Sequence, residues 1–192
     1  MLVAVSHPAT VRSALDILLA IWAAAEVALR IANHDTARDL DWTFPVLIGS
    51  IVAAINLGFQ AAAVTGAGIG ASPVLPAAGL VVVGAGAALR IWSILTLGRL
   101  FTFVVTVQAD HRVVERGPYR LLRHPSYAGG LIGLIGAGVA LDNWLSVAAL
   151  GLIPLLGVLI RIPYEEARLR RGLGQPYVDY AAHTARLIPG LW

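Results

Sequence analysis

Cysteine and lysine are both absent from this chain. Without a thiol there is no disulfide, no thiolate metal centre, no iron–sulfur cluster and no cysteine nucleophile. Charge of either sign is scarce: 13% of the residues are charged, against roughly 25% in a soluble domain. So few charges cannot solvate the surface of a 192-residue globule, so lipid must cover much of it. The length suits a single domain.

What is present in quantity is apolar. The chain is 58% hydrophobic, with a mean hydropathy of +0.77 and a pI near 9.8. All 14 basic residues are arginine. They flank apolar runs instead of forming a continuous basic stripe, which favours membrane orientation over nucleic-acid binding. The opening MLVAVSHPATVRS lacks a strongly basic start, and the apolar run behind it contains Glu26 and is long for a signal sequence. It reads as a retained helix.

A spanning helix needs about 20 mostly apolar residues. Residues 13–32, 44–64 and 73–98 qualify, the first with Glu26 and Arg30 four apart and able to pair. TGAGIGASP, residues 65–73, follows an apolar helix rather than a strand, so its glycines read as a tight turn and not a dinucleotide loop. The apolar run 127–160 is too long for one ordinary helix. Asp142-Asn143 divides it into a helical hairpin with arms of about 15 to 18 residues. The expected fold is all-α and polytopic, with about five membrane helices, a C-terminal hairpin and a polar tail from 161 to 192. Arg30, Arg38, Arg99, Arg112, Arg116, Arg120, Arg123, Arg161, Arg168, Arg170, Arg171 and Arg186 then share one side, and Arg12 lies on the other. The positive-inside rule puts the tail in the cytoplasm and the N-terminus outside.

Orientation accounts for arginines but not for the order QADHRVVERGPYRLLRHPSY, residues 108–127. Gly117-Pro118 makes a turn, and Pro125 suits the first turn of a helix, where its missing N–H costs nothing. His124 then stands near the N-cap with Tyr127 one turn in, beside free N–H groups that bind negative charge. Two readings fit this spacing: a helix-start signal with interfacial arginines and an anchoring tyrosine, or the wall of a polar binding site. Arg161 and Glu165 are likewise four apart, either a surface pair or part of a site, with Glu166, Arg168, Arg170 and Arg171 behind them. Pro163 weakens a plain helix there and is expected to redirect the chain. A short hairpin brings its two feet together, so that His124 and Tyr127 face Arg161 and Glu165.

DHRVVERGPYRLLRHPSYAG, RIPYEEARL and QPYVDYAAHTARLIPG together resemble the isoprenylcysteine carboxyl methyltransferase family and its bacterial and archaeal members. They are similar, more distantly, to phosphatidylethanolamine N-methyltransferases, which share the R-H-P-x-Y and Glu-Glu elements. The likeness covers residues 95–190, and it implies a membrane part, 1–98, and a catalytic part, 99–192. It further implies an S-adenosylmethionine-dependent methyltransferase whose cofactor pocket lies on the cytoplasmic side, formed by the last two helices and the tail. Carried over by position, the cofactor contacts are Gln108, His111, Arg112, Val113, Val114, Tyr119, His124, Pro125, Ser126, Tyr127 and Glu165. Arg161 matches the family arginine that holds the acceptor's carboxylate and is the candidate catalytic residue. The link from Gln108 to His111 is shorter than in the eukaryotic members. The implied acceptor is lipophilic or prenylated and reaches the site through membrane lipid; a phospholipid amine or another small amphiphile is the alternative. A transporter subunit or scaffold would need a polar path across the bilayer, whereas these polar residues crowd one face.

Arg90, inside an apolar run, either faces the site or pairs with Glu26. His7, His34 and His183 have no metal-ligand spacing. Gly84-Ala85-Gly86 and the Gly133 to Gly136 region read as helix-packing surfaces, and Tyr177, Tyr180 and Trp192 as residues that pack the tail against the bundle.

Overall fold

The computed structural model describes residues 9–32, 41–64, 66–70, 72, 74–101 and 113–190. Six α-helices follow one another: α1 Ala9–Ala32, α2 Thr43–Ala61, α3 Val74–Leu97, α4 Pro125–Ala140, α5 Trp144–Leu173 and α6 Gln175–His183. Short 3-10 turns cover Gly98–Leu100 and Gly117–Arg120. There is no named strand among the described residues, and the protein is an all-α, multi-pass membrane protein. Among the described residues, three segments are long and apolar enough to cross a bilayer, Thr43–Ala61, Val74–Leu100 and Trp144–Leu173. α4 is equally apolar but has 16 residues, about 24 Å of helix. α1 carries Arg12, Asp16 and Glu26 along its length and presents Ile17, Ile21, Val27 and Ile31 outward.

Small residues set how the helices pack. α3 and α4 run close together because a Cβ on Gly129 would stand 2.7 Å from the backbone nitrogen of Arg90. Gly79, Gly86 and Gly136 are equally filled by the opposing backbone or side chains, whereas Gly84 faces open space. In lipid there is little hydrophobic drive between helices, so this close van der Waals seam is a main source of their association. α2 packs on α5 in a second layer, and the Ser146 hydroxyl, fully buried, donates to the Gly58 carbonyl at 2.7 Å.

The α4–α5 hairpin turns at Asp142-Asn143. Asp142 takes a left-handed conformation, φ 50°, which aspartate tolerates better than most residues. Asn143 caps α5 by accepting from the Ser146 N–H at 3.1 Å. The glycine-rich 66–70 loop docks on this tip, where the Ile69 N–H donates to the Asp142 carbonyl at 3.2 Å. It lies at the opposite end of α4 from His124 and Pro125.

One expectation fails. Pro163 does not redirect the chain: α5 continues through Pro154 and Pro163 for 30 residues, to Leu173. A helix of that length, about 45 Å, outlasts a hydrocarbon core of about 30 Å. Its final turns therefore carry Glu165, Glu166 and the arginines outward on a continuous helix. α5 packs against both α2 and α4, and such neighbours let membrane helices tolerate internal prolines.

Candidate active site

The charged end of the bundle is organised around the start of α4. Residues 121–124 pair with 185–186 of the tail: the Arg123 N–H donates to the Ala185 carbonyl at 2.7 Å and the His124 N–H to the Arg186 carbonyl at 3.1 Å. His124 is the N-cap residue and Pro125 follows inside the first turn, buried. From α6, the Tyr180 hydroxyl reaches the carbonyls of Tyr119, at 2.8 Å, and Leu122, at 3.3 Å. The tail thus clamps the segment that delivers His124.

The two feet of the hairpin meet through Tyr127. Its hydroxyl donates to Glu165 Oε2 at 2.7 Å and accepts from Arg161 Nε at 2.7 Å. Arg161 and Glu165 are thereby linked through a residue of the neighbouring helix, rather than forming the plain surface pair their spacing allows. Arg161 is only 2% exposed. A charge so buried requires partners, and its Nη1 donates to Asp41 at 3.2 Å and to Thr43 Oγ1 at 2.9 Å. Asp41 in turn accepts from the N–H groups of Thr43, at 3.0 Å, and Phe44, at 3.1 Å, so the start of α2 holds it in place. The His124 ring stacks on Tyr127, centroids 5.7 Å apart, with Nδ1 4.0 Å from Glu165 Oε1.

Successive helical residues point about 100° apart, which separates the two glutamates. Glu165 faces the Tyr127–Arg161 pair, while Glu166, 3% exposed at its side chain, faces the tail. There it accepts from Arg123 at 2.9 Å, Arg186 at 3.2 Å and Arg170 at 3.4 Å, with His124 Nε2 also at 3.4 Å. On the other flank, Arg90 pairs with Glu26 of α1 and donates through Nη1 to the hydroxyl of Ser126 at 3.0 Å. The Trp22 indole also donates to Glu26, at 2.6 Å. Both alternatives for Arg90 therefore hold at once, and Glu26 ties Trp22 of its own helix to Arg90 of α3. The side chain of Arg30, its other expected partner, lies outside the described residues.

These groups open onto one cavity of about 580 Å³, within the 300–1,000 Å³ of small-molecule sites. Val113, Val114, Tyr119, His124, Ser126, Tyr127, Arg161 and Glu165 line it. Pro125 starts the helix and is buried instead of lining the cavity. Gln108, His111 and Arg112 lie outside the described residues. Below the polar end the lining turns apolar along single helix stripes: Leu47, Ile51 and Ile55 of α2, Leu131 and Leu134 of α4, Leu150, Pro154 and Val158 of α5. Tyr177 and Tyr180 line it too, so they do more than pack the tail. Burial pushes the phenols of Tyr119, Tyr177 and Tyr180 well above their usual range, which keeps all three neutral.

Residues 77–171 fit the model of the isoprenylcysteine carboxyl methyltransferase (ICMT) family. That match covers just under half of the chain and marks it as similar to the family. A probable protein-S-isoprenylcysteine O-methyltransferase of Oryza sativa subsp. indica is 42% identical over 113 residues, 58% of this chain and 59% of the relative. Protein-S-isoprenylcysteine O-methyltransferase B of Arabidopsis thaliana is 37% identical over 113 residues, 58% of this chain and 57% of the relative. The match thus spans less than two thirds of the curated relatives. The solved eukaryotic intramembrane Ras methyltransferase ICMT superposes with a TM-score of 0.77 at 26% identity, covering 98% of this chain and 70% of that one.

The family segment contains Arg90, the 108–127 stretch and the 161–166 stretch, but neither Asp41 nor Tyr177. Sequence reasoning missed Asp41 as a partner of Arg161. An aspartate just ahead of an apolar run is a helix-start signal, but nothing local reveals which arginine lies across from it. It also missed Glu166 as the anchor of the tail, because two adjacent glutamates carry no mark of which one faces inward.

Proposed function

We propose that this protein is an intramembrane S-adenosylmethionine-dependent methyltransferase that esterifies the carboxylate of a lipophilic acceptor of the isoprenylcysteine type. The observation that carries the reading is the Arg161–Tyr127–Glu165 relay at the junction of a polar pocket and an apolar groove. The likeness of residues 77–171 to the family and the methyltransferases among the relatives support it. In this reading residues 99–192 form the catalytic part, residues 1–98 are the membrane part, and the N-terminal helices contribute Asp41, Glu26 and one wall of the groove. Arginines concentrated at the charged end support about five spans, with tail and active site in the cytoplasm.

The pocket fits the cofactor on its own chemistry. The carboxylate of Glu165 suits an ammonium or ribose hydroxyls, His124, Ser126 and Tyr127 add hydrogen-bonding groups, and Val113, Val114 and Leu169 add apolar surface. Tyr119, neutral, adds a hydroxyl. When bound, the cofactor supplies a methyl group on a positively charged sulfur. The acceptor carboxylate is ionised at neutral pH, so no residue has to remove a proton. The work of the protein is to hold the reacting groups in line in a water-poor site.

Arg161 is the group placed for the acceptor. Its planar fork suits a carboxylate, and its bond to Tyr127 couples its position to Glu165 on the cofactor side. The apolar stripes of α2, α4 and α5 give the acceptor's hydrocarbon a continuous surface beneath that guanidinium. Binding of labelled S-adenosylmethionine to the purified protein, followed by transfer to a farnesylated cysteine carboxylate, tests the reading. No binding by the wild type overturns it. Transfer only to phospholipid amines replaces it with the N-methyltransferase alternative.

A further inference from the structure

Tyr177 and Tyr180 are neighbours on one face of α6, their rings 6.0 Å apart in an edge-on arrangement, and each is 4% exposed. Their hydroxyls have opposite fates. That of Tyr180 is tied to the carbonyls of Tyr119 and Leu122. That of Tyr177 is buried without a hydrogen-bond partner, the one such side-chain atom among the described residues. A buried hydroxyl left unpaired is costly, and native structures rarely keep one without a reason. Tyr177 also lines the cavity, as do Tyr119, Leu169 and Leu173, and the Glu165 and Glu166 carboxylates are near enough to act on its phenol.

We infer that Tyr177 is a cofactor-binding residue, its hydroxyl hydrogen-bonding the nucleoside part of S-adenosylmethionine. The inference rests on the methyltransferase reading above and adds to it a contact from α6, outside the family segment. Leu169 and Leu173, also in the lining, provide apolar surface for a purine, and the hydroxyl provides a polar contact. The phenol stays protonated, because burial and the nearby Glu166 and Glu165 carboxylates all disfavour the phenolate. Its role is therefore to donate or accept a hydrogen bond and not to act as a base. The Tyr180 proton is already committed, since its hydroxyl donates to the 119–122 segment.

The test compares full-length wild type, Tyr177→Phe and Tyr180→Phe in detergent. Removing an orphaned hydroxyl leaves the ligand-free melting temperature unchanged or raises it, and weakens S-adenosylmethionine binding about fivefold or more. S-adenosylhomocysteine, which shares the nucleoside, loses the same factor. Tyr180→Phe gives the reverse pattern, a lower ligand-free melting temperature from its lost internal bonds. Wild-type cofactor affinity in Tyr177→Phe overturns the inference and leaves the methyltransferase reading standing. So does a drop in its ligand-free melting temperature, which would mean that the hydroxyl has an internal partner. A loss confined to S-adenosylmethionine overturns the nucleoside assignment. Absence of binding by the wild type overturns the methyltransferase reading and this inference together.

Discussion

Asp41 stands 3.2 Å from the guanidinium of Arg161, across 120 residues of chain, and both side chains are buried. The pair joins the start of α2 to the middle of α5. It gives the arginine a fixed position before any ligand arrives.

Breaking that pair strands a buried cation. Asp41→Ala is expected to destabilise the fold by about 3 kcal/mol or more, read as a lower melting temperature of the detergent-solubilised protein. Asp41→Asn, which keeps hydrogen-bond acceptors for the α2 start, should cost less. Equal melting temperatures for Asp41→Ala and wild type would show that the pair contributes nothing.

Arg161→Lys keeps the charge and loses the fork. A lysine cannot bond Tyr127, Asp41 and Thr43 together in the arginine's geometry. The expected result is an acceptor KM raised at least about tenfold, with the cofactor Kd within about threefold of wild type. A KM left unchanged would argue that the acceptor has no carboxylate at this position.

Tyr127→Phe removes the link between Arg161 and Glu165 while keeping the ring that stacks on His124. Activity should fall about tenfold or more as both ends of the relay lose a buried bond. Glu165→Ala should in addition abolish measurable cofactor binding. If Glu165→Ala binds labelled S-adenosylmethionine like wild type, the assignment of Glu165 fails.

Gly129→Ala places a methyl 2.7 Å from the Arg90 nitrogen and from the Gly86 carbonyl. Backbone cannot yield as a flexible side chain can, so α3 and α4 must separate, at about 1–3 kcal/mol. Because Arg90 reaches Ser126 from this seam, cofactor affinity should drop along with the melting temperature. Gly84→Ala, facing open space, serves as the control and should melt like wild type.

Much of this was legible from residue order. Apolar run length located the long helices, because the cost of exposed backbone in lipid acts locally along the chain. Asp142-Asn143 marked the hairpin, and a hairpin by itself brings residues 124–127 opposite 161–165. The pocket's first half was readable for that reason.

Contacts between distant segments were decided only by tertiary packing. Pro163 read as a break, yet α5 continues through it, so Glu165 and Glu166 stay on the same helix as Arg161. Helical rotation then turned one glutamate to the cavity and the other to the tail arginines, a choice that adjacent identical residues cannot announce. Asp41 lies far from the motif in sequence, and Tyr177 within it carries no local mark of its role. Their meaning depends on their surroundings, a buried guanidinium in one case and in the other a cavity-lining ring whose hydroxyl has no partner. Local composition determined which segments enter the membrane. The pairing of buried polar groups, which depends on distance in space, determined the site.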